Sequence, residues 1–130
     1  MDRKAEIILE KAICAKVVDC LLAAGYGVGV NDGEETTVVN STDRAVIIEA
    51  TFSTDEDYIL AYTNGHKVGW VFLVWGNYTD LISDYTTNLE EALKPVNEFV
   101  RQLDDGSPAA YAEAFAQPRN AVSGTDGGDA

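Results

Sequence analysis

Apolar residues crowd the stretch "RKAEIILEKAICAKVVDCLLAA" at 3–24, made of good helix formers, and their pattern changes half-way along it. In the first half Asp2, Arg3, Glu6 and Glu10 share one face at helical spacing. In the second half Ile13, Cys14, Val17, Val18, Cys20, Leu21 and Leu22 wrap most of the circumference, leaving Lys16 and Asp19 a narrow polar stripe. Such a helix end is buried on more than one side, and Gly25 marks its stop.

The period then falls to two. "YGVGVNDGEETTVV" holds two β-rich runs around Asp32-Gly33, a pair suited to a two-residue turn with positive φ at both positions. "DEDYILAYT" and "HKVGWVFLVW" form the clearest hairpin, turning at Asn64-Gly65, and "DLISDYT" supplies a fifth short strand. Between the hairpins, "STDRAVIIEATF" suits a strand through its β-branched residues. It also suits a short helix capped by Ser41 or Thr42, with Ala45, Ile48 and Phe52 on one side, and the helix is the reading adopted.

Leu89, Leu93, Val96, Val100 and Leu103 return to helical spacing. Asn88 is placed to cap this closing helix, Glu90 and Glu91 favour its first turn, and Pro95 kinks it or opens its second part. "DDGSP" ends the fold, and residues 106–130 read as a flexible, Gly-rich tail with at most a transient turn near Tyr111 to Phe115. The expected fold class is α+β, with one domain over 1–105. It comprises an N-terminal helix, an antiparallel sheet of about five short strands built from two hairpins, a short middle helix and a C-terminal helix, followed by the tail.

The stretch "KVGWVFLVWG" at 67–76 is apolar on both alternating faces. A two-residue turn at Asn64-Gly65 sets Thr63 opposite His66, and uninterrupted pairing then sorts the hairpin into two faces. One carries Ile59, Ala61, Val68, Trp70, Phe72 and Val74 and is expected against the helices. The other carries Tyr58, Leu60, Tyr62, Lys67, Val71, Leu73 and Trp75, a mixture of rings, polar tips and aliphatic residues found at interfaces. Three helices with short connections leave one face of the sheet half-covered, so Tyr58, Leu60, Tyr62, Val71, Leu73 and Trp75 are the candidate partner-binding residues; the alternative is that the short helix at 42–53 or the C-terminal tail covers that face.

Composition changes the picture chiefly through charge. The chain has 130 residues, 46% of them hydrophobic, and a formal charge of −13. Residues 31 to 113 hold sixteen acids against four bases, a balance of −12, whereas residues 1 to 30 are balanced at four of each. That field repels nucleic acid and anionic membranes and attracts basic partners; the plainer reading is that the acids keep the protein in solution. Asp32, Glu34, Glu35, Asp43, Glu49, Asp55, Glu56 and Asp57 are the candidate acidic surface.

No run reaches the roughly 20 apolar residues of a membrane helix, and "MDRKAEI" opens no signal-type segment. The expected setting is cytoplasmic. Cys14 and Cys20, separated by roughly 9 Å of helical rise at ~1.5 Å per residue, lie too far apart for a disulfide and read as core thiols.

Candidate chemistry is thin. The single histidine, His66, flanks a hairpin turn without a cysteine partner in any recognised pattern. Carboxylate pairs such as Asp80 with Asp84, or Glu90 with Glu91, read more economically as solvated surface. "GYGVGV" lacks the dinucleotide-loop spacing, and the calcium-loop pattern is absent. No catalytic residue, metal site or cofactor is therefore expected.

"VNDGEETTV", "TDEDYI", "VGWVFLVWGN" and "ISDYTTNLEEAL", in this order and spacing over roughly residues 20 to 100, resemble small uncharacterised acidic proteins encoded by bacteriophages and prophages. The resemblance implies a common fold and carries over no functional residue. In a phage setting it implies an accessory protein acting in the host cytoplasm on a protein partner such as a basic nucleic-acid-binding enzyme. In the sharpest form the carboxylates imitate DNA phosphates and the protein inhibits a defence enzyme, with a homodimer also admitted. The alternative expectation is a small-molecule or cation-binding domain with its ligand between the sheet and the N-terminal helix.

Overall fold

The computed structural model describes residues 2–116. Helix α1 spans Arg3–Ala23, and Asp2 caps it by accepting from the Ala5 N–H at 2.9 Å. Its C-terminal hydrogen bonds run from Gly25 N to Leu22 O and from Tyr26 N to Leu21 O, the pairing that closes a helix by a left-handed turn.

The remaining elements are β1 (Gly27–Asn31), β2 (Thr36–Ser41), α2 (Arg44–Glu49), β3 (Glu56–Thr63), β4 (His66–Val74), β5 (Ile82–Tyr85), α3 (Lys94–Asp104) and α4 (Pro108–Phe115). Short 3-10 turns occupy Tyr78–Asp80 and Thr87–Leu89. The five strands form one antiparallel sheet in the order β2-β1-β3-β4-β5, so the fold is α+β as expected.

The helices gather on one side of this sheet. Ile13, Val17 and Leu21 of α1, Ile47 of α2, Val96, Phe99 and Leu103 of α3, and Ala110 and Ala114 of α4 share one core with Val28, Val30, Ile59, Ala61, Val71 and Leu73. Burial of each large aliphatic chain is worth about 1.5–3 kcal/mol, so this single layered core holds the fold. It explains the all-round apolarity of α1, which has the sheet on one side and other helices on the rest.

Four local expectations are revised. The middle helix forms, but Asp43 caps it in place of Ser41 or Thr42, its carboxylate accepting from Ala45 and Val46. The turn at Asp32-Gly33 is a four-residue loop. Asp32 Oδ1 accepts from both Glu34 N and Glu35 N, which holds this carboxyl below its ordinary pKa and wraps the chain around it.

Asn88 lies in a 3-10 turn, and α3 begins at Lys94 with Pro95 in its first turn, where a missing N–H costs nothing. Finally, the tail expected from residue 106 contains α4. Ser107 caps it, Pro108 opens it, Ala110 and Ala114 pack into the core, and Glu113 pairs with Lys16 of α1. Residues 117–130 of that expected tail lie outside the described residues.

Candidate protein-docking face

The Asn64-Gly65 turn forms as the sequence implies, with φ of 54° and 80°. Thr63 lies opposite His66 and Tyr62 opposite Lys67, but the next pair is Ala61 with Gly69. Val68 is therefore an extra residue in β4, a β-bulge, and it stands 41% exposed. One inserted residue moves every later side chain of the strand to the opposite face.

Gly69 makes the bulge sterically feasible. A Cβ there would come within 2.5 Å of Thr86 Oγ1 and 3.1 Å of Leu89 Cδ1. The polar groups released by the bulge are satisfied across the sheet edge: Asn88 Nδ2 donates to the Val68 carbonyl at 2.9 Å, and Trp70 N donates to Thr86 Oγ1 at 3.1 Å.

The consequence is a correction to the candidate face. Val71 and Leu73 are fully buried against the helices and Trp75 is nearly so, all three within the core cluster. Trp70, Phe72 and Val74, expected inside, instead share the helix-free face with Tyr58, Leu60 and Tyr62, since Tyr58 pairs with Phe72 and Leu60 with Trp70. None of these six belongs to the core cluster. The signal that would have found them is the glycine inside "KVGWVF", because an isolated glycine in a strand pattern marks a bulge or a close backbone approach.

The six side chains form an ordered surface. Tyr58 stacks on Phe72 with centroids 4.5 Å apart and planes at 16°, and Trp70 meets Tyr58 edge-on at 5.8 Å and 81°. Tyr62 lies across Gly29, where a Cβ would meet its ring at 2.9 Å. Leu60, between Gly29 and Trp70 in the register, is buried by its neighbours on the same face. Tyr58, Trp70, Phe72 and Val74 remain half-buried, and no helix among the described residues lies over them.

The acidic candidates separate into three places. Thr54 Oγ1 donates to Asp32 O, and the Cβ position of Gly33 lies 3.5 Å from the Glu56 side chain, so Asp32, Glu34, Glu35, Asp55 and Glu56 gather at one end of the sheet. Glu56 lies opposite Val74 and Asp84 opposite Phe72, which puts both on the open face. Asp43 and Glu49 belong to α2 on the helix side. Asp57 is no surface residue: it is fully buried, with Oδ2 accepting from Trp75 Nε1 and Phe52 N, both at 2.8 Å.

Ion pairing divides the molecule in the same way. Among the described residues the pairs are Arg3 with Glu6 and Glu10, Lys16 with Glu113, Arg44 with Asp19, Lys94 with Glu91, and Arg101 with Glu98 and Asp105. All lie on helices. Asp32, Glu34, Glu35, Asp55, Glu56 and Asp84 have no lysine or arginine partner among them.

Burial pushes the Cys14 thiol up to about 12, which removes its nucleophilic form, and it also raises the half-buried Cys20. No cluster of three or more His, Cys, Asp or Glu among the described residues is arranged for a metal ion. The space between α1 and the sheet is filled by Ile13, Val17, Leu21, Ile59, Val71 and Leu73, each at zero exposure. A groove of about 440 Å³ lies elsewhere, between the C-terminal half of α1 and residues Glu91, Ala92 and Pro95.

No described helix is long and apolar enough to cross a membrane. No protein-family model, curated protein or solved structure matches the chain.

Proposed function

We propose that this protein is a non-catalytic interaction module that docks a protein partner on the helix-free face of its sheet. The observation that carries the reading is the set Tyr58, Leu60, Tyr62, Trp70, Phe72 and Val74, an aromatic and aliphatic face outside the core and, among the described residues, without a covering element. A contiguous surface of this composition is the kind that marks protein interfaces, where rings supply apolar area and a polar edge together.

Charge supports the partner's class. The carboxylates at the Asp32–Glu35 loop, Asp55 and Glu56, unpaired among the described residues, lie at one end of that face, favouring basic proteins and disfavouring nucleic acid. Together with the resemblance to phage-encoded proteins, this favours a basic nucleic-acid-binding enzyme of a host cytoplasm. The carboxylates gathered at that end of the sheet act in steering the basic partner.

The test is affinity capture from a host-cell extract with wild-type protein, Trp70→Glu and Lys94→Glu, each first verified as folded by circular dichroism. The expected result is a partner held by wild type and by Lys94→Glu and weakened about tenfold or more by Trp70→Glu, a loss of ~1.4 kcal/mol or more. A partner retained equally by Trp70→Glu overturns the reading.

A further inference from the structure

We propose that the residue this face is built to receive is arginine, carried on an exposed segment of the partner; this rests on the docking reading above. Two features of the face converge on that side chain.

The first is the ring arrangement. The protein already places a cation over an aromatic ring twice on its helix side, Lys11 Nζ over Phe52 and Lys16 Nζ over Phe99, both 4.7 Å from the centroid. Among the described residues the rings of Tyr58, Trp70 and Phe72 have no such cation. Trp70 stands nearly perpendicular to Tyr58, so the face offers ring surfaces in two orientations side by side.

The second is the charge beside the rings. Asp84 is opposite Phe72 and Glu56 opposite Val74, on the same face, and Gly33 of the β1–β2 loop, which carries Asp32, Glu34 and Glu35, packs against the Glu56 side chain. None is matched by a base of this chain among the described residues. Lys67 lies at the far end of the same face, opposite Tyr62, so the field runs from basic to acidic along the strands.

Arginine alone satisfies both features. Its guanidinium is planar and weakly hydrated, so it stacks on an aromatic face, and its fork of N–H donors meets a carboxylate in two parallel bonds. Lysine is a strongly hydrated point charge that answers the carboxylates and gains less from the rings. A nucleic acid strand would stack on the rings but is repelled by the carboxylates. A second copy of this chain would bring another sheet of the same net charge against the first.

The experiment is a calorimetric titration at low salt with three peptides of equal length and spacing, in which the variable residue is arginine, lysine or citrulline, the neutral isostere of arginine. Solution mass of the free protein is measured first by light scattering. The expected result is a monomer that binds the arginine peptide roughly three- to thirtyfold more tightly than the lysine peptide, with no measurable citrulline binding. In Trp70→Leu and in Tyr58→Leu, tested as separate variants so that one folded protein suffices, the arginine advantage disappears. In Glu34→Gln/Glu56→Gln both basic peptides weaken together.

Equal affinity for arginine and lysine that still depends on Trp70 overturns the arginine assignment and leaves the docking face standing. Arginine binding indifferent to both ring substitutions overturns the assignment and the docking face together. A dimer that Trp70→Glu converts to a folded monomer overturns the proposal in favour of a second copy as the occupant.

Discussion

The indole N–H of Trp75 donates to Asp57 Oδ2 at 2.8 Å, in a buried pair that joins the residue after β4 to the start of β3. Phe52 N donates to the same oxygen, whereas Asp57 Oδ1 has no hydrogen-bond partner among the described residues. Phe52 packs edge-on against Trp75 at 4.7 Å, so the carboxylate organises a corner where three segments meet.

This pair predicts an unusual pH response. Burial raises the Asp57 pKa above its ordinary value, more strongly than the Phe52 and Trp75 hydrogen bonds lower it, and Asp32 adds a smaller upward push. The folded state therefore holds this proton more tightly than the unfolded chain. Asp57's contribution is fully present below the ordinary carboxylate value of about 4 and is lost as pH rises through the raised folded value. In Asp57→Asn that titration is absent. The wild type's Tm relative to Asp57→Asn should fall as pH is raised from about 4 toward neutrality; a relative Tm that rises would contradict the assignment. Asp57→Ala, which strands two buried donors, should cost about 1–3 kcal/mol.

Gly69 predicts a steric effect. Gly69→Ala places a Cβ against Thr86 Oγ1 and Leu89, and should lower stability by about 1–3 kcal/mol in urea denaturation. Asn88→Ala removes the donor to the Val68 carbonyl without any clash and should cost about 1 kcal/mol. Unchanged midpoints in both variants would mean that the bulge is not held by these contacts.

Glu10 predicts a local opening. This residue is fully buried, and its carboxylate accepts from Gly76 N at 3.0 Å, Tyr78 N at 2.9 Å and Arg3 Nη1 at 3.1 Å. It fastens the loop after β4 to α1. Glu10→Ala should cost about 2–3 kcal/mol, with Glu10→Gln recovering part of it. Hydrogen exchange at the Gly76 and Tyr78 amides should accelerate in Glu10→Ala; protection equal to wild type would show that other contacts hold the loop.

What the sequence revealed follows the range of the forces involved. Helix α1, the Asn64-Gly65 turn, the fifth strand and the middle helix were readable because local pattern and turn chemistry decide them. Glu10 looked like part of a charged helix face; the loop that buries it is 66 to 68 residues away. The bulge had its local signal in Gly69, but the groups that stabilise it are remote: Thr86 lies 16 residues beyond Trp70, which it binds, and Asn88 lies 20 beyond Val68.

Helix α4 also had a start signal, in Ser107-Pro108. At 8 residues it would be marginal alone, and it depends on packing of Ala110 and Ala114 against the core. Among the described residues one face of the sheet carries no helix, and half of the residues expected on it belong to the wrong alternate set. A single unpaired residue accounts for that error, since the side-chain period of a strand is two.

The most direct test of the docking face is acrylamide quenching of the two tryptophans one at a time, in Trp75→Phe and Trp70→Phe. Acrylamide is neutral, so the negative field of the protein does not bias access. The structure predicts that Trp70, observed in Trp75→Phe, is readily quenched, and that Trp75, observed in Trp70→Phe, is shielded. A shielded Trp70 beside an accessible Trp75 would return Val71, Leu73 and Trp75 to the open face. Equal shielding of both would mean that the face is already covered.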